Sequence, residues 1–81
     1  MSKDAASEAE ELDTSGLRCP LPVLKARKRL SAMASGAVLR LVTTDPVAVI
    51  DVPDFCREAG HMLVSMEEGE GDRRVFLIRR A

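Results

Sequence analysis

Two prolines, Pro20 and Pro22, stand two residues apart, directly before a run of apolar residues at helical spacing. Proline has no backbone N–H and holds φ near about −65°, so it breaks a helix interior but fits the first turn, where the N–H has no partner. The pair therefore fixes a helix start. The spacing predicts a helix from Pro20 to about Ala34 with Cys19 as its N-cap. Val23, Ala26, Leu30, Met33 and Ala34 form the inward face, and Lys25, Lys28 and Arg29 lie off it. Ala34-Ser35-Gly36 supplies the stop, with Gly36 suited to a left-handed cap.

The remaining elements follow from this helix. Upstream, Glu10 to Thr14 reads as a short strand with Leu12 inward, and Ser15-Gly16 as a turn. Downstream, Ala37 to Thr43 reads as a strand, with Leu39 and Leu41 facing one way and Val38, Arg40 and Val42 the other. Strand, crossover helix and strand imply a right-handed parallel unit. Asp45-Pro46 and Asp51-Val52-Pro53 both look like helix starts, with the aspartates as caps. Because Pro53 is expected to break a helix, a short turn is predicted at 46–50 and the main second helix from Val52 to Ala59, ended by Gly60. Met62 to Glu67 and Arg74 to Arg79 read as strands, joined as a hairpin through Glu68-Gly69-Glu70-Gly71-Asp72. The predicted fold class is α/β: a two-layer α/β sandwich in β-α-β-α-β-β order, a four-stranded mixed sheet with two helices on one face. The other sheet face has mixed character and is expected to stay exposed or meet a partner.

With 81 residues the chain holds one domain and a small core. Residues 1–9 are read as a disordered tail and 10–81 as the domain. No apolar run is long enough for a membrane span, and the N-terminus has no apolar signal core, so a cytoplasmic protein without membrane contact is expected. In that compartment Cys19 and Cys56 read as free thiols. They lack the spacing of a zinc site, and His61 stands alone, so no metal site is expected.

The formal net charge of −1 conceals segregation. Residues 14–40 carry Arg18, Lys25, Arg27, Lys28, Arg29 and Arg40 and no acid, whereas residues 41–72 carry eight acids against Arg57. The basic stretch around Cys19 reads either as a solvated helix face or as a positive field around a thiol. A helix N-terminus lowers a cysteine pKa and the thiolate is the nucleophile. With Arg18 adjacent and first-turn N–H groups free to face the sulfur, Cys19 is expected to favour the thiolate. A small N-cap residue without chemistry is an equal reading of the same local pattern. Cys56 reads as a buried small hydrophobe, with a resolving thiol for Cys19 as the other reading. His61 reads as structural, and Met62 and Met66 as packing residues. No carboxylate pair, Ser-His-Asp pattern or phosphate loop is present. Sequence-specific recognition of single-stranded RNA is not expected with so few aromatics, although a transient tRNA contact suits the basic helix.

Several of these stretches together resemble the TusA (SirA-like) sulfur-carrier family. The resemblance rests on Leu12-Asp13, Gly16-Leu17-Arg18-Cys19-Pro20-Leu21-Pro22-Val23-Leu24-Lys25, Thr44-Asp45-Pro46, Asp51-Val52-Pro53-Asp54-Phe55-Cys56, Gly60-His61-Met62-Leu63 and Phe76-Leu77-Ile78-Arg79. Its hallmark is a Cys-Pro-x-Pro motif, matched by residues 19–22. The resemblance implies a two-layer α/β sandwich and a carrier, a sulfurtransferase if counted as an enzyme, whose Cys19 receives sulfane sulfur as a persulfide and relays it with no metal or organic cofactor. Arg18, Pro20 and Pro22 are then supporting residues. The donors implied are a cysteine desulfurase or a rhodanese-like protein. The acceptors implied lie in tRNA thiolation, molybdenum cofactor supply or sulfur oxidation. Leu21 occupies the variable motif position, where well-studied members of the tRNA pathway carry an acidic residue. A carrier needs an accessible thiol, and a monomer is expected. The rival reading is a non-catalytic regulatory or interaction module of the SirA-like type, and a third is a dithiol redox protein using Cys19 and Cys56.

Overall fold

The computed structural model describes residues 9–81, and the tail expected over residues 1–9 falls outside the described residues except for Ala9. The elements are β1 (Glu10–Asp13), α1 (Leu21–Ser31), β2 (Val38–Thr43), α2 (Ala48–Ala59), β3 (Met62–Glu68) and β4 (Arg74–Arg79). The sheet order is β1-β2-β4-β3. β1 runs parallel to β2, while β4 lies antiparallel to both β2 and β3. The expected α/β class, element order and mixed sheet are all present.

One cluster unites the layers. Leu39 and Leu41 of β2, with Phe76 and Ile78 of β4, meet Ala26 and Leu30 of α1 and Ala48, Val52, Phe55 and Cys56 of α2. The alternation read from β2 thus sends Leu39 and Leu41 to the helices. Each large side chain buried here contributes about 1.5–3 kcal/mol relative to exposure. On the opposite face, Val38, Val42 and Val75 are also shielded, being short side chains on the two central strands. Met62 and Met66, expected to pack, are exposed, because β3 is an edge strand with a single neighbour. A register shift between Leu63 and Ser65 leaves Val64 out of the ladder.

Both helices depart from their expected bounds. α1 ends at Ser31, and Ala34 is exposed. The carbonyls of its last turn find partners early: Arg29 C=O accepts from Ala32 N–H (3.0 Å), and Leu30 C=O accepts from Met33 N–H (3.0 Å) and Arg80 Nε (2.7 Å). Gly36 does adopt φ +84°, but it serves the turn into β2, where its N–H donates to Arg80 C=O at 2.9 Å. α2 runs as one helix through Pro53. Ala48, Val52, Phe55 and Cys56 form an unbroken buried face, and that burial outweighs the roughly 3 kcal/mol cost of an interior proline. Gly60 ends α2 in the left-handed conformation, as expected, with its N–H on Cys56 C=O.

Candidate functional site

β1 and β2 are parallel neighbours, so the loops leaving their carboxyl ends lie side by side, and the two helices start next to each other. In open α/β sheets this end of the strands is where ligands collect. Cys19 lies here, exposed, in the loop between β1 and α1.

The loop is laced to the end of β2. Thr14, buried, donates both its N–H (2.8 Å) and its hydroxyl (2.6 Å) to Val42 C=O. Gly16, at φ +83°, turns its N–H onto Thr44 Oγ1 at 2.8 Å. The Cys19 N–H donates to Asp45 Oδ2 at 2.6 Å, and Asp45 Oδ1 accepts from Val47 N–H at 3.1 Å. One largely buried carboxylate therefore ties the cysteine loop to the start of α2. Asp45 was expected as a helix cap. The residue in the N-cap position is Val47, and Asp45 spans two loops from two residues upstream.

Cys19 is not the N-cap of α1; Pro20 is, following a cis Cys19–Pro20 peptide, with Leu21 and Pro22 as the first two helical residues. The helix end is poor in donors. Pro20 and Pro22 have no N–H, and Leu21 N–H is spent on Arg18 C=O at 2.7 Å. The expectation that first-turn N–H groups would be free to face the sulfur overlooked that prolines remove the very donors in question. Arg18 is exposed and lines a separate cleft with Gly16, Leu17, Pro46 and Asp72.

The groove that Cys19 does face runs between the helices and is walled by Val23 and Arg27 of α1 and by Asp51, Asp54, Phe55 and Glu58 of α2. Arg27 lies over the Phe55 ring, 5.0 Å from its centroid. The Asp51 carboxylate, on the same groove, holds the Cys19 thiol above its ordinary pKa; desolvation and the negative charge of Asp45 push the same way. The expected preference for thiolate is thus reversed. The basic stretch around Cys19 in sequence is not its setting in space, because the crossover brings acids of the 41–72 segment beside it.

Cys56 is 2% exposed within the core, and burial pushes its thiol up to about 11. Both cysteines are free thiols. His61 accepts the Ala81 N–H on Nδ1 at 3.0 Å and packs beside Phe55 with ring centroids 5.7 Å apart. Burial, then Arg80 and Arg27, lower its pKa. It anchors the last residue of the chain to the helix layer, in keeping with a structural role. Asp51, expected as a cap, instead lies on the groove beside the thiol. The signal was available: if β1 and β2 are parallel neighbours, the loops after them must meet, and Asp45 and Asp51 follow β2.

Among the described residues no helix is long and apolar enough to cross a membrane. The family model for sulfurtransferase TusA matches residues 10–80. The sulfur carrier protein TusA of Allochromatium vinosum is 47% identical over 72 residues, covering 89% of this chain and 93% of that protein. The crystal structure of a SirA-like protein from Desulfitobacterium hafniense superposes with a TM-score of 0.76 at 20% identity, covering 85% of this chain and 93% of the other, a likeness of fold. With the family model spanning every strand and helix, the chain belongs to the TusA sulfurtransferase family.

Proposed function

We propose that this chain is a sulfur carrier in which Cys19 receives sulfane sulfur as a persulfide and relays it to an acceptor thiol. The observation that carries the reading is the exposure of Cys19 at the mouth of the two helices, on a loop fixed by Asp45, while the other cysteine is sealed in the core. The similarity to a protein named a sulfur carrier supports it. The donor is a cysteine desulfurase or a rhodanese-like protein. The downstream acceptor serves tRNA thiolation, molybdenum cofactor supply or sulfur oxidation. Contacts with both partners are short-lived, since a carrier must release one before meeting the other. Pro20 and Pro22 support the site by setting the start of α1, and Arg18 by lining the adjoining cleft. The basic outer face of α1, Lys25 and Lys28, suits a transient tRNA contact, and the working form is a cytoplasmic monomer.

The test is mass spectrometry after incubation with a cysteine desulfurase and cysteine, or with a small sulfane-sulfur donor. The expected gain is one sulfur, about 32 Da, on Cys19, in keeping with reversible persulfidation of an accessible thiol. A Cys19→Ser protein that gains sulfur in normal yield would overturn the assignment.

A further inference from the structure

We propose that Asp51 is a positioning residue for the relay: its carboxylate shares the inter-helix groove with the Cys19 sulfur and repels the charged persulfide, so that the loaded carrier is poised to give its sulfur away. This rests on the persulfide reading of Cys19.

The geometry has two parts. Asp45 fixes the backbone of Cys19 through the 2.6 Å bond to its N–H, which sets where the sulfur points. Asp51, half-buried in the first turn of α2, lines the same groove as Cys19, and its carboxylate raises the pKa of the thiol. The charged groups around the sulfur come from three elements. Asp45 lies in the loop after β2, Asp51, Asp54 and Glu58 lie on α2, and Arg27 lies on α1. Arg27 is already engaged with the Phe55 ring, and Arg18, on the cysteine loop itself, lines the other cleft. Acids therefore outnumber bases at the sulfur.

The chemistry follows from that field. In loading, Cys19–SH gives up its proton, its sulfur bonds to the outer sulfur of a donor persulfide R–S–SH, and the donor S–S bond breaks. Its electron pair leaves on the donor sulfur, which takes up the proton, giving Cys19–S–SH and R–SH. Unloading is the same exchange onto an acceptor R′–SH, which returns Cys19–SH. No external oxidant or reductant enters. A persulfide is a stronger acid than its parent thiol, so near neutrality the loaded carrier bears a negative charge that the empty one lacks. Asp51 meets the loaded anion as a like charge, a repulsion that the neutral empty form does not feel. The acid thus shifts the exchange equilibrium towards release.

The test has two readouts on the full-length chain with Cys56→Ala, which leaves one thiol. The first is the pH profile of Cys19 alkylation by iodoacetamide. Asp51→Asn should move its midpoint to lower pH and raise the rate at pH 7 about threefold or more, whereas Asp51→Glu should restore most of the original profile. The second is the fraction of Cys19 carrying an extra sulfur in a fixed mixture of glutathione persulfide and glutathione, which should rise severalfold in Asp51→Asn. A purely structural role for Asp51 would move neither the midpoint nor this fraction. Sulfur gain with an unmoved midpoint overturns the role of Asp51 alone. A moved midpoint with no sulfur gain in either protein overturns the carrier reading on which the proposal rests.

Discussion

Cys19 and Cys56 are two thiols held protonated by opposite means. Cys19 is in contact with solvent and is held by a neighbouring carboxylate, a cause that a partner protein can displace or neutralise. Cys56 is held by burial among Val52, Phe76 and Ile78, a cause that only unfolding removes. A raised pKa therefore does not by itself separate a working thiol from a structural one. Access does, together with whether the cause can be switched.

The largest expected effect breaks the pair apart kinetically. In the native protein, iodoacetamide should label Cys19 directly and reach Cys56 only through opening of the core. For a domain stable by about 5 kcal/mol, that opening slows labelling by about 10³-fold or more. Peptide-resolved mass spectrometry of a labelling time course checks this, and comparable rates at the two sites would refute the burial argument. Next in size, Cys56→Ser should cost about 1–3 kcal/mol, because its hydroxyl would be buried without a designed partner. Thermal unfolding should show a fall of about 4–8 °C for each kcal/mol lost in a domain of this size.

The fold was largely legible because its elements carry strong local signals. The leucines of β2 alternate, the proline pair marks the start of α1, and Gly60 supplies the φ +82° that ends α2. Pro53 is the exception, because the buried face of α2 overrides the local preference of proline to break a helix. The site was half legible. Cys19 stands out in the sequence, but its electrostatic setting does not, since charge neighbours were counted along the chain. The parallel β1–β2 pairing places residues 26 positions apart in contact, as between Cys19 and Asp45, so the acid-rich segment, and not the basic one, defines the field at the sulfur.

Alkaline titration sharpens the comparison further. The folded-state pKa of Cys56, about 11, lies above the ordinary value of 9.0, so between these values the folded state binds more protons than the unfolded one. The stabilisation is therefore complete below about pH 9 and is lost as pH rises through about 11. Two pKa units correspond to at most about 2–3 kcal/mol. The chain has no tyrosine to titrate in this window. Urea unfolding at several pH values should show a steeper alkaline loss in the natural chain than in Cys56→Ala, and equal slopes would contradict the burial-driven shift.

The smallest effect is expected where chemistry is concentrated. Cys19→Ser should change stability by less than about 0.5 kcal/mol, hence the unfolding midpoint by no more than about 2–4 °C. The side chain is exposed, so no cavity forms on replacement. The tie between this loop and the fold runs through the Cys19 N–H to Asp45, which serine retains. A fall of more than about 1 kcal/mol, beyond the usual range for a surface substitution, would mean that the thiol itself helps hold the loop. Cys19 would then be structural as Cys56 is, and the division between the two cysteines would rest on exposure alone.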